Sequence, residues 1–194
     1  MIVFLKGRFV RKTPALAHVE VNGVGYELHI SLNTYSSIVN LEQGLLHTYF
    51  HVREDAQLLY GFFEEEEKEM FIHLLSVSGV GAGTARMMLS SMKPAEIARN
   101  ILQGNTKSLE SIKGIGKKSA ERIILELKDK VGKSSFELNN TNQVNNTLER
   151  DALNALIALG INRSVGEQAI LRVKKAEPEL QVIEEIIKKA LKTL

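Results

Sequence analysis

Two glycine-containing motifs of the same form, thirty-five residues apart, have the spacing of an anion-binding turn. Gly79-Val80-Gly81 is followed by Thr84, and Gly114-Ile115-Gly116 is followed by Ser119. Glycines let the backbone turn tightly and approach another surface closely. Each turn leads into the start of a helix, where unpaired N–H groups and the helix dipole favour an anion. The duplicated motif therefore predicts two phosphate-binding turns that contact nucleic acid without reading its bases.

Each turn lies between two helical stretches, which is the helix-hairpin-helix pattern in tandem. Lys117 and Lys118 follow the second turn directly. Lysines are unfavourable at a helix N-terminus, so their presence favours an external anion over a merely solvated first turn. Arg86 and Arg122 are further phosphate candidates, although each is equally compatible with an ordinary surface arginine. The predicted DNA-binding residues are Gly79, Val80, Gly81, Thr84, Arg86, Gly114, Ile115, Gly116, Lys117, Lys118, Ser119 and Arg122.

The charge distribution supports a phosphate ligand for this region. The chain of 194 residues has a formal net charge of only +2, but residues 70–133 contain eleven basic and five acidic residues. Residues 1–63 contain five of each sign. A local basic surplus is typical of a phosphate-binding surface. A solvated helical surface would have the same composition, so charge alone leaves both interpretations open.

Residues 1–63 have the pattern of short strands that precede the hairpins. Val24, Tyr26, Leu28 and Ile30 alternate with other residues directly after Asn22-Gly23, a strong hairpin signal. Two further β-rich runs cover 46–53 and 57–62. Five or six strands in about sixty residues favour a small barrel of the OB type.

From Glu64 onward the pattern is helical, and the glutamates at 64–67 are expected to form a solvated helix start. Further helices are expected near 82–91, 94–103, 106–112 and 117–131. The span 134–147 contains five asparagines and predicts a flexible linker. The predicted fold is α+β and multidomain. It has an N-terminal OB-type β-barrel (1–63), a central all-α tandem helix-hairpin-helix domain (64–133), the linker, and a C-terminal three-helix, UBA-like module (148–194).

Several functional classes lack their expected residues. The chain has no cysteine, no phosphate loop of the G-x-x-x-x-G-K-[ST] type and no H-E-x-x-H motif, so neither a metal nor a cofactor is expected. The N-terminal apolar stretch is too short for a signal peptide or membrane span, which predicts a cytoplasmic protein. Glu54 and Asp55 are imaginable nuclease carboxylates, but adjacent residues of a hairpin usually point apart. A structure-specific nuclease and a general duplex-binding architectural protein remain the alternatives.

Three stretches resemble the RuvA family of Holliday-junction-binding subunits: the residues of 22–27, 52–62 and 114–118. The resemblance covers the barrel, the tandem hairpins and the helical module in order. It implies sequence-independent binding of four-way DNA junctions and of duplex DNA by a homotetramer, with an octamer as the alternative assembly. It also implies that Glu54 and Asp55 form an acidic pin at the junction centre. One departure is that Ala82-Gly83 stands where the family usually has Pro-Lys.

The resemblance further implies a non-catalytic subunit without cofactors. Its C-terminal module would recruit a RuvB-type hexameric ATPase that drives branch migration in recombination and repair. A RuvC-type junction resolvase is a second implied partner. The stretch 155–161 matches the motor-docking region. The predicted partner-facing residues are Leu156, Leu159, Ile161 and Leu191.

Overall fold

The computed structural model describes residues 1–132 and 144–193, which form two compact units, one in each range. The first unit begins with a closed barrel in the strand order β1-β2-β3-β5-β4. Its strands are β1 (Phe4–Lys12), β2 (Leu16–Val21), β3 (Val24–Ile30), β4 (Gln43–Val52) and β5 (Gln57–Phe62). The predicted small barrel is therefore confirmed.

Alternation of side chains across the strands explains why this segment closes on itself. Ala17, Val19, Leu28 and Ile30 are at most 1% exposed and point into the barrel. β1 pairs with β4 through its first half and with β2 through its second half, and the latter pairing shifts register between Phe9 and Arg11. The predicted hairpin turn lies between β2 and β3, where Asn22 has φ 50° and Gly23 has φ 85°. Both values fit a type I′ turn.

A short helix that the sequence pattern did not predict, α1 (Leu32–Ile38), lies between β3 and β4. Five helices complete the first unit: α2 (Glu65–Leu75), α3 (Ala82–Ser91), α4 (Pro94–Leu102), α5 (Thr106–Glu110) and α6 (Lys117–Val131). Tyr60 and Phe62 of the barrel are buried in the same cluster as Phe71 of α2. Barrel and helices therefore share a hydrophobic core, which fixes the hairpins relative to the barrel.

Glu67 corrects the expectation of a solvated helix start. It is only 3% exposed, and its carboxylate accepts hydrogen bonds from the Ser31 hydroxyl and from the Thr34 hydroxyl, the latter at 2.6 Å. Burial raises the pKa of the Glu67 carboxyl, while the two hydroxyl groups act in the opposite direction. The reason for its burial is position, because Glu67 lies three and seven residues before the core residues Met70 and Leu74.

The second unit contains α7 (Val144–Ala158), α8 (Arg163–Ala176) and α9 (Ile183–Lys192). The expected linker lies outside the described residues from 134 to 143. Its last four residues, 144–147, instead belong to α7. Asparagine lowers helix propensity by less than about 1 kcal/mol per residue, which an adjoining helix can offset. Within the described ranges, no helix is long and apolar enough to cross a membrane.

Candidate nucleic-acid interface

The two predicted turns have the same backbone conformation. Gly79 has φ 88° and Gly114 has φ 93°, which lies in the left-handed region that residues with a Cβ atom rarely adopt. Gly81 precedes α3 with φ −87° and ψ 168°, and Gly116 precedes α6 with φ −89° and ψ 169°. The sequence repeat of thirty-five residues is therefore also a structural repeat.

The residue at the middle of each turn anchors it in the core. Val80 and Ile115 are 6% and 5% exposed. The Val80 N–H donates to the Val77 carbonyl at 3.1 Å, and the Ile115 N–H donates to the Ile112 carbonyl at 3.0 Å. Both residues were predicted among the DNA contacts, but their side chains are buried and their N–H groups are already bonded. Their contribution is to hold the glycines in place.

The surface in front of both turns is open. A Cβ atom at Gly81 or at Gly116 would meet no other part of the described chain within 4 Å. The first N–H groups of a helix have no intrahelical partner, and neither Gly81 nor Gly116 offers a side chain to cap those of α3 and α6. Thr84 and Ser119 lie in these first turns and are half-buried. The geometry suits an anion that approaches the backbone closely.

Cations surround the second turn. Lys117 and Lys118 are exposed at the start of α6, and neither forms an ion pair within the part of the chain that the structure describes. Lys113, directly before Gly114, is also exposed and was not among the predicted contacts. Its position next to Gly114 was the signal that could have found it, because Lys113 borders the turn as closely as Lys117 does.

Arg86 does not lie at a turn. Its Nη1 donates to the Ala15 carbonyl at 3.1 Å and lies 3.3 Å from Nδ1 of His29, so the side chain faces the barrel. Burial, and secondly the charge of Arg86, lower the pKa of His29. The Arg86 guanidinium thus joins α3 to the barrel in this structure, and its predicted phosphate contact stays a prediction.

Arg122 lies beside the first turn rather than the second. Its Nη1 donates to the Ser78 carbonyl at 3.2 Å, and Nη1 is 4.0 Å from the position that a Cβ atom of Gly79 would occupy. In the repeat register the residue equivalent to Arg122 is Met87, since the two copies are thirty-five residues apart. Tertiary packing between the repeats thus brings a residue of α6 to the turn before α3.

Glu54 and Asp55 occupy the tip of the hairpin between β4 and β5. The Arg53 N–H donates to the Ala56 carbonyl at 2.8 Å and closes a four-residue turn, and both carboxylates are exposed at its tip. No cluster of three or more metal-ligating side chains exists among residues 1–132 and 144–193. The two carboxylates thus form a projecting acidic tip without an accompanying ligand set.

The predicted partner-facing residues of the second unit differ in exposure. Leu159 is 63% exposed and Leu191 is 41% exposed, whereas Ile161 is half-buried against the core. Leu156 is fully buried between the helices, so the prediction that it faces a partner is wrong. Its place on the inner side of α7, four residues after Ala152, explains this burial.

Comparison with known proteins agrees with this arrangement in each part of the chain. The model of the RuvA N-terminal domain matches residues 1–61, that of the SAM-like helix-hairpin-helix tandem matches 71–129, and that of the RuvA C-terminal domain matches 147–194. The proteins named Holliday junction branch migration complex subunit RuvA from Christiangramia forsetii, Flavobacterium psychrophilum and Cytophaga hutchinsonii are 44%, 42% and 41% identical to it. The first two alignments cover 100% of both chains and the third covers 99% of both. The chain belongs to the RuvA family.

Proposed function

We propose that this chain binds four-way DNA junctions as a homotetramer, without sequence specificity, and serves as the DNA-binding subunit of a branch migration complex. The observation that carries the proposal is the pair of conformationally identical turns with open helix N-termini. Its relatives are named as subunits of such a complex. A single hairpin would only hold a duplex, whereas a tetramer of hairpin pairs suits a junction with four duplex arms.

Each turn contacts one phosphate of the DNA backbone through the free N–H groups at the start of α3 or α6. Lys113, Lys117 and Lys118 add electrostatic attraction at the second turn. Amides and lysines that reach phosphates carry no sequence information, so binding depends on the shape and charge of the backbone. Affinity is therefore expected to fall steeply as salt increases.

The acidic tip acts at the centre of the junction. In a fourfold assembly, Glu54 and Asp55 contribute eight carboxylates close to the point where the strands exchange. These charges repel phosphates, oppose collapse of the arms and help to separate the strands that enter the centre. The chain supplies no catalytic residue in this scheme.

The second unit recruits the motor. Leu159 and Leu191 are exposed apolar side chains of the kind that dock into a groove of a partner. Their proposed partner is a RuvB-type hexameric ATPase, which hydrolyses ATP and pulls the DNA arms. A RuvC-type junction resolvase and a second tetramer on the opposite face of the junction are further proposed partners.

A gel-shift titration of the purified chain tests the function. A four-way junction and a linear duplex of equal length are compared without ATP and without metal. The expected result is a strong preference for the junction. Equal affinity for both would favour a general duplex-binding protein, and cleavage of the junction after addition of magnesium would favour a nuclease.

The salt dependence tests the role of the lysines. The Lys117→Ala and Lys118→Ala double variant should flatten the plot of log affinity against log salt by about 0.9 for each phosphate that the variant no longer neutralises. Lys128→Ala is the matched control, because Lys128 lies at the opposite end of the same helix. A slope equal to that of the wild type would show that neither N-terminal lysine neutralises a phosphate.

A further inference from the structure

The two turns share a backbone but differ in charge. Three lysines border the second turn: Lys113 before it, and Lys117 and Lys118 after it. The residues at the corresponding positions of the first turn are all uncharged: Ser78, Ala82 and Gly83. The arginine of α3, Arg86, lies against Ala15 and His29 of the barrel. The two turns thus offer a phosphate the same amide geometry but unequal electrostatic attraction.

Arg122 is placed to change this balance. It belongs to α6 of the second repeat, yet its guanidinium lies at the mouth of the first turn, on the Ser78 carbonyl and next to Gly79. The side chain is 53% exposed, and its ion pair with Glu126 is long, at 3.8 Å. A pair of that length between half-exposed groups contributes little and leaves the charge available.

We propose that Arg122 supplies the positive charge of the first turn, so that the phosphate contact of one hairpin depends on a residue of the other. The proposal rests on the DNA-binding function proposed above and adds a specific contact to it. One N–H of the guanidinium donates to the Ser78 carbonyl, and in the proposed complex other N–H groups of the same guanidinium donate to the phosphate at the first turn. Arginine presents five donors in a planar fork, which fits such a shared role.

The second repeat contributes a charged residue to the turn of the first repeat, but the first repeat has no charged residue at the corresponding position. Met87 occupies the position in α3 that Arg122 occupies in α6, and its side chain has no charge to offer the second turn. The second turn does not need one, because three lysines already border it. The chain therefore concentrates the charge for both turns in and around α6, whereas the amide groups are contributed equally by α3 and α6.

The test combines removal of the charge with its restoration at a different residue. Arg122→Ala should weaken junction binding about tenfold at low salt, and should flatten the salt dependence by about 0.9 for each phosphate that it leaves without a cation. Gly83 is the first-repeat equivalent of Lys118, and a Cβ atom there would meet no other part of the described chain within 4 Å. Gly83→Lys in the Arg122→Ala background should restore both affinity and slope.

Gly83→Ala in the same background is the matched control. It increases helix propensity as Gly83→Lys does but adds no charge, and it should restore nothing. Restoration by alanine would overturn the proposal, since the effect would then come from helix stability. An Arg122→Ala variant with an unchanged slope would overturn it as well. So would a loss of affinity that Gly83→Lys does not restore, because Arg122 would then only brace Ser78.

Uncharged methylphosphonate linkages in the DNA locate the phosphate that Arg122 contacts. Methylphosphonate substitution at single positions of a junction arm should reveal two groups of sensitive phosphates for the wild-type chain. Arg122→Ala should abolish the sensitivity of one group, and the Lys117→Ala and Lys118→Ala variant should reduce that of the other. If both variants affect the same group, the charge is not supplied to a separate turn. If the wild type binds no DNA, the proposed function fails first, and the two failures are thereby distinguishable.

Discussion

Replacing Glu67 with alanine should lower the free energy of unfolding of the first unit by about 2 kcal/mol. The carboxylate is the acceptor for the hydroxyl groups of Ser31 and Thr34, which are both fully buried. The Ser31 hydroxyl oxygen in turn accepts a hydrogen bond from the Thr34 backbone N–H, and the Thr34 hydroxyl oxygen accepts one from the Phe63 backbone N–H, each at 3.0 Å. The carboxylate thus completes two chains of hydrogen bonds that join α1 and the end of β5 to α2.

The magnitude follows from what alanine leaves behind. Each buried hydroxyl donor that loses its acceptor costs about 1–1.5 kcal/mol at the lower end of the measured range. The one missing methylene group adds about 0.8 kcal/mol. Release of the buried charge of Glu67 returns part of this free energy, on the order of 1 kcal/mol after relaxation of the site. The net destabilisation of about 2 kcal/mol is large compared with that of a typical surface substitution.

Tyrosine fluorescence during urea unfolding measures this destabilisation in the first unit of the chain. The chain has no tryptophan, and all four tyrosines lie in the barrel segment: Tyr26, Tyr35, Tyr49 and Tyr60. Protomer concentration is held constant because assembly contributes to apparent stability. Glu66→Ala is the control, since Glu66 is exposed in the same turn of α2. A destabilisation below about 1 kcal/mol, or one equal to that of the control, would refute the role assigned to the carboxylate.

The same carboxylate gives a pH dependence with a definite sign. Burial, aided by the nearby Glu64, raises the pKa of Glu67 above its ordinary value of 4.5. Between 4.5 and the raised pKa, the folded chain therefore binds the proton and the unfolded chain releases it. The contribution of this group to stability is full below 4.5 and is lost as pH rises through the folded pKa. The stability of the wild type relative to Glu67→Gln should thus increase as pH falls through the raised pKa toward 4.5, and the opposite trend would contradict the assignment.

Three further perturbations separate folding from function. Gly114→Ala should cost about 1–2 kcal/mol in urea unfolding, because φ is positive there, and should weaken DNA binding in a gel shift. The Glu54→Gln and Asp55→Asn double variant should leave junction binding unchanged or tighter while altering the migration rate with the motor. Loss of junction binding would contradict the role proposed for the acidic tip. Leu156→Ala should destabilise the second unit by about 2–5 kcal/mol in calorimetry, whereas Leu159→Ala should leave its melting unchanged and weaken motor binding in a pull-down.

The turns could be predicted from sequence because their determinants are local. A glycine with positive φ, an apolar residue and a second glycine specify a turn within three positions, and the duplication shows that the pattern is not accidental. The barrel hairpin at Asn22-Gly23 was predictable for the same reason. The start of α7 was harder to predict from sequence, because asparagines near a helix end reduce helix propensity without preventing the helix.

The places of the two arginines depended on contacts between elements that are distant in sequence. Arg86 and Arg122 are both surface arginines by pattern, and only the packing of α3 on the barrel and of α6 on the first turn distinguishes them. Glu67 and Leu156 are different, because helical periodicity was sufficient to place both on buried faces. Glu67 was missed because it belongs to a run of four glutamates that resembles a solvated helix start. Leu156 was misplaced because its stretch was expected to form a partner surface.

The unequal distribution of charge has a consequence for how the hairpins work together. Lys117 and Lys118 start α6, and Arg122 follows one turn later on the same helix. With the role proposed for Arg122, a displacement of α6 would move the charge of both turns at once, while the amide groups of α3 would keep their places. Because phosphate attraction supplies much of the affinity for DNA, loosening α6 should release both turns from a duplex arm together. A hairpin pair of this kind holds an arm as one unit, which favours a fixed arm direction over independent binding at the two turns.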